Sequence, residues 1–428
     1  MLKYLVFVAL FLGLAGCGVQ SAQSPKASNS RFIAAIRDRL TQARQMEPLG
    51  QVPIVFETKA DAAASIGDNL RKNSRTHSLD ERSLAYEKLG LLPPGGDLKQ
   101  SLLSFYSSQA MAFYDSTGKR VVLSAGDDNG SERGVLREDD ERVIAHELVH
   151  AYQDQRFAIG ERLRAHGNGD AVLALRSVAE GDALLGEYAY VFGGVDDWLL
   201  DYVGQVLEAT GGNPSLPSVP MIVSDRIQFQ YVSGSRFVSR ALRHGGWLSV
   251  DRLYLSPPLS TEQILHPEKY FEVWDPPARI GLKNLSRLFP SPWREIENDT
   301  LGELSVRCLF SQFIETSAAA SAAQGWGGDR FVAYQKGDNV AFIWATIWDS
   351  DADADEFHQQ YLRVLAMKYG PGPSRSDYYV ERRGSMVLVI EGLERQEISQ
   401  HIDTVWAEMV VEKEAAQPPA YAAASAGR

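Results

Sequence analysis

Cysteine is almost absent from this 428-residue chain: Cys17 and Cys308 are the two present, so a disulfide framework does not hold the fold. Positive charge is also scarce. Forty-three Lys and Arg residues stand against 55 Asp and Glu, a formal net charge of -12, which leaves no general basic surface for phosphates and sets nucleic acid aside as a partner. Beyond the first residues no stretch approaches the roughly 18 apolar residues that read as a membrane-spanning helix. Several chemistries lack their signatures. The chain has no GxSxG, no GxxxxGK[ST], no CxxC and no GxGxxG after a strand, which removes support for serine hydrolase, nucleoside triphosphatase and thiol redox roles. What is there, 44% hydrophobic residues, suffices for a sizeable core and for two folded units.

The N-terminus, MLKYLVFVALFLGLAGC, has one early charge at Lys3, an apolar run from Tyr4 to Leu14, and the small residues Ala15 and Gly16 before Cys17. The run is too short to span a bilayer and reads as an export signal over 1–16. Leu14-Ala15-Gly16-Cys17 resembles the lipobox of bacterial lipoproteins, which implies lipidation at Cys17 and a membrane anchor in the cell envelope. Gly18 rather than an acidic residue after the cysteine resembles lipoproteins destined, in a cell that has an outer membrane, for that membrane facing the periplasm. Residues 17–30 are expected to form a flexible tether.

The remaining pattern predicts an α+β fold. A helix over 31–45 and a short strand at Val52–Phe56 come first, then a hairpin over Met111–Ser124 whose turn is Asp115-Ser116-Thr117-Gly118. Two long helices, Glu138–Phe157 and Asp170–Phe192, carry no proline. A helix over Gly234–Gly245 follows. Prolines between about 275 and 300 place a boundary there, dividing a unit over 31–290 from a smaller α+β region over 301–412. In the latter we expect a helix from Leu301 through Ala323, a strand at Val340–Ile347 and a helix at Asp353–Met367. Strands near Tyr378–Glu381 and Met386–Ile390 and a helix to about Val411 complete it. Trp326, Trp344 and Trp348 are expected in its core, and the Ala- and Pro-rich residues 413–428 in a disordered tail.

The first long helix contains His146-Glu147-Leu148-Val149-His150, an HExxH motif. Residues four apart share a helix face, so both imidazoles reach one ion. Glu147 is turned about 100° from His146, where it can act as general base toward water acidified by a metal. Two histidines and a glutamate in so apolar a stretch are costly unless paired or metal-bound. A catalytic zinc takes three protein ligands. The best third ligand is Glu180 on the second helix, with Asp182 and Glu187 as competitors and His166 in an exposed connector. Gly181 permits close approach of another helix. Asp154, Asp182 and Glu187 are candidate partners for the ligand histidines. Arg176, one turn before Glu180, is placed to pair with Glu180 or with a substrate carboxylate. For stabilising a developing oxyanion the candidates are His266 and Tyr231.

The stretch from His146 to Gln155, HELVHAYQDQ, followed by Ala179-Glu180-Gly181-Asp182-Ala183, resembles the gluzincin type of zincin metallopeptidase. It is similar above all to a group of bacterial envelope proteins with HELxHAxQDQ and EGDA motifs. The segments Ser260–Tyr270 and Gly325–Arg330 extend the likeness, which runs from about 85 to 395. The resemblance implies a zincin-like catalytic domain with an HExxH helix and a Glu-bearing helix, a Zn2+ cofactor held by His146, His150 and Glu180, and hydrolysis of peptides or proteins. Zincins also place an edge strand above the active-site helix, a role open to Ala112–Tyr114 or to Val121–Ser124. The aspartate that gluzincins carry one turn beyond the glutamate is Leu184 here. A non-catalytic, metal-containing lipoprotein that binds a partner is the alternative, and hydrolysis of another amide or ester a third possibility.

Overall fold

The computed structural model describes residues 25–73, 77–109, 111–124, 136, 138–165, 167–210, 219–370 and 378–413. The export signal, Cys17, His166 and the tail beyond 413 lie outside the described residues. The architecture is mixed α+β. None of the described helices is long and apolar enough to cross a membrane.

The first helix runs from Pro25 to Arg44, so residues 25–30, expected as tether, are helical. Proline suits a first helical position because its fixed φ is already helical and its missing N–H needs no partner there. Ile36 and Leu40 bury one face of this helix. Beside them lies a three-stranded sheet in the order Ile54–Glu57, Arg120–Ser124, Ala112–Asp115, the first pair parallel and the second antiparallel. The expected hairpin is its second half. Its turn is closed by Asp115, whose Oδ1 accepts the amides of Thr117 and Gly118 at 3.0 and 3.1 Å. Ala112–Asp115 is left at an edge.

The histidine helix, Glu141–Phe157, divides its residues by face. Ile144, Ala145, Leu148, Val149 and Tyr152 pack with Leu40, Val121 and Leu123. Val143, His146, Glu147, His150, Gln153 and Asp154 line a cleft on the other side, the outcome a 3.6-residue period dictates. Across from it runs the glutamate helix, Gly169–Phe192, capped at its start by the Asn168 side chain. This helix packs on a long one, Met221–Leu255, which starts after Pro220 and is broken locally at Gly245 and Gly246; the expected Gly234–Gly245 helix is its middle. Gly181 and Gly234 meet where the two helices cross. A Cβ on Gly181 would lie 2.4 Å from the Gly234 carbonyl carbon, and one on Gly234 2.1 Å from the Ser177 oxygen.

The C-terminal region is a five-stranded antiparallel sheet, ordered Arg294–Asp299, Trp326–Lys336, Asn339–Trp348, Met386–Glu391, Tyr378–Arg383. The three tryptophans are buried, as expected. Two expectations fail here. The single helix through Ala323 is two helices, Gly302–Ser311 and Thr316–Ala323, because the amides of Phe313 and Ile314 turn back on the Phe310 carbonyl. The boundary between 290 and 301 is also absent. Arg294–Asp299 is a sheet strand, Arg82 pairs with Glu297 at 2.5 Å, and the Gly169 amide donates to Asp299 at 2.6 Å. One buried cluster continues from Leu79 and Leu173 through Trp344 to Val389.

The segments 260–270 and 325–330 are the joints of this union. Thr261 donates its amide and hydroxyl to Asp170 at 3.0 and 2.6 Å. Asp329 accepts the amides of Leu301 and Gly302 and the Trp326 indole N–H. Burial pushes the Asp170 carboxyl up to about 8, so at neutral pH the fold keeps a proton that the unfolded chain releases near pH ~4. The folded value is the higher one, so stability declines as pH rises from about 4 to about 8 and levels off above. Asp170→Asn mimics the protonated acid and should remove up to ~4 kcal/mol of the stability loss between about pH 5 and pH 8, at 1.36 kcal/mol per unit. Urea unfolding at both pH values checks this; an unchanged pH dependence in the variant rejects it.

Candidate metal and active site

His146 and His150 point from the histidine helix toward Glu180. The Glu180 Oε2 atom lies 3.5 Å from His146 Nε2 and 3.4 Å from His150 Nε2, and the three ligand atoms lie within 4.8 Å of one another. Of the competing third ligands, Glu187 turns to the other nitrogen of His146, with Oε2 3.3 Å from Nδ1, and Asp182 points away into a buried ion pair. All three members of the cluster are largely buried. Burial opposes charge on both histidines, but Glu180 outweighs it, aided at His146 by Glu187, and holds both above the ordinary imidazole range. Burial likewise works against the Glu180 carboxylate, and the two histidines overcome it, holding its pKa far below the usual value.

Each histidine has a polar side chain behind it. Arg142 fixes Glu187 through Nε and Nη2 at 2.9 and 2.6 Å, and Glu187 Oε2 faces His146 Nδ1 at 3.3 Å as an ion-pair neighbour without a hydrogen bond. His150 Nδ1 lies 3.0 Å from Gln153 Oε1. The amide nitrogen of Gln153 donates to the Ala179 carbonyl and to Asp182 Oδ2, each at 3.0 Å. Asp182 accepts Arg44 Nε at 2.5 Å and the Tyr254 hydroxyl at 2.8 Å. The contact chain Arg44, Asp182, Gln153, His150 thus sets the tilt of one imidazole, which leaves no need for an aspartate where Leu184 stands. Arg44 and Arg142 escaped the sequence reading, and Gln153 entered it only as a member of the HELVHAYQDQ stretch, with no role assigned.

Glu147 stands beside the cluster. Its Oε2 accepts the Tyr114 amide at 2.8 Å, so the edge strand Ala112–Asp115 lies directly over the histidine helix. Burial raises the Glu147 carboxyl above its ordinary range, with the histidines opposing and Glu180 reinforcing. Asp154, a candidate partner for His150, serves the hairpin instead: it accepts the Tyr114 hydroxyl at 2.8 Å, Lys119 Nζ at 2.6 Å and the Gly160 amide at 2.9 Å. The Gly181–Gly234 crossing brings Tyr231 to the site, its hydroxyl kept protonated chiefly by burial and then by Glu180 and Glu147. His266 is elsewhere. It ends the short helix Thr261–Leu265 and its Nε2 lies 2.9 Å from Glu303 Oε1, outside the residues lining the cleft. Of the two oxyanion candidates, only Tyr231 belongs to the site.

The cleft around these groups encloses about 470 Å³. Phe105, Tyr106, Phe113, Ile159, Leu207 and Ile227 supply apolar walls. The donor set, two imidazole nitrogens and one carboxylate oxygen, suits a borderline cation such as zinc and leaves a coordination position open. Glu180 Oε2 is itself buried without a hydrogen-bond partner, an orphan acceptor facing two nitrogens, which is the environment a metal ion satisfies.

Residues 287–401 match the model of a domain of unknown function, DUF8575. The match covers the C-terminal sheet and its helices and stops short of the cleft. No curated protein and no solved structure matches the chain.

Proposed function

We propose that the protein is a zinc-dependent metallopeptidase of the gluzincin type with a zincin-like catalytic region, tethered to the bacterial cell envelope by lipid at Cys17. The observation that supports this reading most is the convergence of His146, His150 and Glu180 within 4.8 Å, with Glu147 at its side. His146 Nε2, His150 Nε2 and one Glu180 oxygen would hold the zinc. When bound, the ion supplies a Lewis acid that polarises a scissile carbonyl and acidifies water.

The chain's own residues do the rest. Apart from the Tyr114 amide, which donates to Glu147, the outer edge of the strand Ala112–Asp115 is open to an extended peptide, which would add as a further strand above the histidine helix. Glu147, raised by burial, takes the proton of the attacking water and returns it to the leaving amine. The Tyr231 hydroxyl, protonated at any physiological pH, donates toward the oxyanion as charge develops. Gln153 Oε1, 3.0 Å from Nδ1, favours the His150 tautomer that leaves Nε2 free, and the Glu187 carboxylate beside His146 Nδ1 favours the same tautomer by its charge.

Metal analysis of the purified mature chain, with peptide-library digestion before and after chelation, tests the reading. Stoichiometric zinc and cleavage that stops on chelation and returns on zinc addition are expected. Glu180→Gln should weaken zinc binding at least ~100-fold, because an anionic ligand is lost. A chain that binds no zinc, or a Glu180→Gln variant with parental affinity, overturns the assignment.

A further inference from the structure

The cleft is lined by four carboxylates, and each is already engaged. Glu147 accepts the Tyr114 amide, Glu180 faces the histidines, Glu187 is held by Arg142, and Asp154 accepts Tyr114, Lys119 and Gly160. Arg176 is the opposite case. It is the only Lys or Arg among the described lining residues, it is half-buried, and it forms no hydrogen bond or ion pair among them. The sequence offered Glu180, one turn along the same helix, as its partner; the structure commits Glu180 to the two histidines instead.

A half-buried guanidinium that pairs with no carboxylate is open to one that arrives. Its planar fork fits a carboxylate with two parallel hydrogen bonds. One helical turn, about 5.4 Å, separates it from the ligand Glu180, and an extended peptide advances about 3.5 Å per residue. We infer that Arg176 reads a substrate carboxylate one or two residues from the scissile bond, supplied by a chain terminus or by an acidic side chain. The inference rests on the peptidase reading of the cleft and names its substrate class: hydrophobic peptides carrying a carboxylate beside the cleavage point.

The test uses the mature chain with Glu147→Gln, so that peptides bind without turnover, and three fluorescently labelled hydrophobic hexapeptides of one parent sequence. The first is C-terminally amidated, the second has a free carboxyl terminus, and the third is amidated with glutamate as its penultimate residue. Dissociation constants are read by anisotropy in the Arg176 protein, in Arg176→Met and in Arg176→Lys. At least one carboxylate peptide should bind about 10- to 100-fold more tightly than the uncharged amide. Arg176→Met should abolish the difference, and Arg176→Lys, a charge without the fork, should restore part of it. Which peptide gains identifies the source of the carboxylate. Equal affinities, a preference that survives Arg176→Met, or no binding of any peptide overturns the inference. Zinc content is measured on the same samples. A chain without zinc fails the metal assignment, and the same three peptides still decide the role of Arg176, since the guanidinium does not depend on the ion.

Discussion

Glu147→Gln should cut kcat for peptide hydrolysis by ~10²–10⁴-fold, the range for loss of a positioned general base, while zinc content and melting temperature stay at parental values. The substitution keeps size and keeps an oxygen acceptor for the Tyr114 amide, now 2.8 Å from the carboxylate, so the edge strand has no reason to move. It removes only the capacity to accept a proton. Glu147 is not among the three groups that converge on the metal position, so metal affinity should not follow activity down. Steady-state kinetics with metal analysis on the same preparation checks both halves. Turnover within tenfold of the parent would show that Glu147 is not the base, and a parallel loss of zinc would make it a structural residue. Under the alternative of a non-catalytic metal lipoprotein, neither protein has turnover to lose.

The residues that touch the proposed metal were legible in the sequence because their logic is local. A four-residue spacing on a helix puts His146 and His150 on one face whatever surrounds them. Glu180 stood out as a carboxylate among Ala, Val and Leu that needed a partner to be buried. Gly181 announced a close crossing, although nothing local named Gly234 as the other side. The strand Arg294–Asp299 was not legible, since it carries four charged residues in six and becomes a strand only by pairing with Trp326–Lys336. His266 shows the converse error. A histidine in a polar loop is compatible with many roles, and its actual neighbour, Glu303, lies 37 positions on. What holds the site is similarly long-range, since Arg44 and Asp182 are 138 residues apart and neither betrays the other in sequence.

That pair is where stability and site geometry separate. Asp182→Ala should destabilise the fold by ~3–5 kcal/mol, because it strands a buried charge. Arg44 is fully enclosed, its Nη1 is already without a partner, and its guanidinium lies 4.3 Å over the Trp247 ring. Burial works against its charge, and Asp182 is the first of the groups that overcome it; Asp251, at 2.8 Å, would be left as the single carboxylate partner. Adding Arg44→Met removes the stranded charge and should recover most of the lost stability, since an apolar replacement of a buried ion pair is often neutral. Zinc affinity should not recover with it. Gln153 loses its Asp182 acceptor in both variants and keeps only the Ala179 carbonyl, so its hold on His150 loosens, and a loss of up to ~10–100-fold is expected for weakening such support. Urea unfolding of both variants measures the first effect and zinc titration against a competing chelator the second. Parental zinc affinity in the double variant would mean that the contact chain through Gln153 is structural only, whereas parental stability in Asp182→Ala would mean that Asp251 suffices for Arg44.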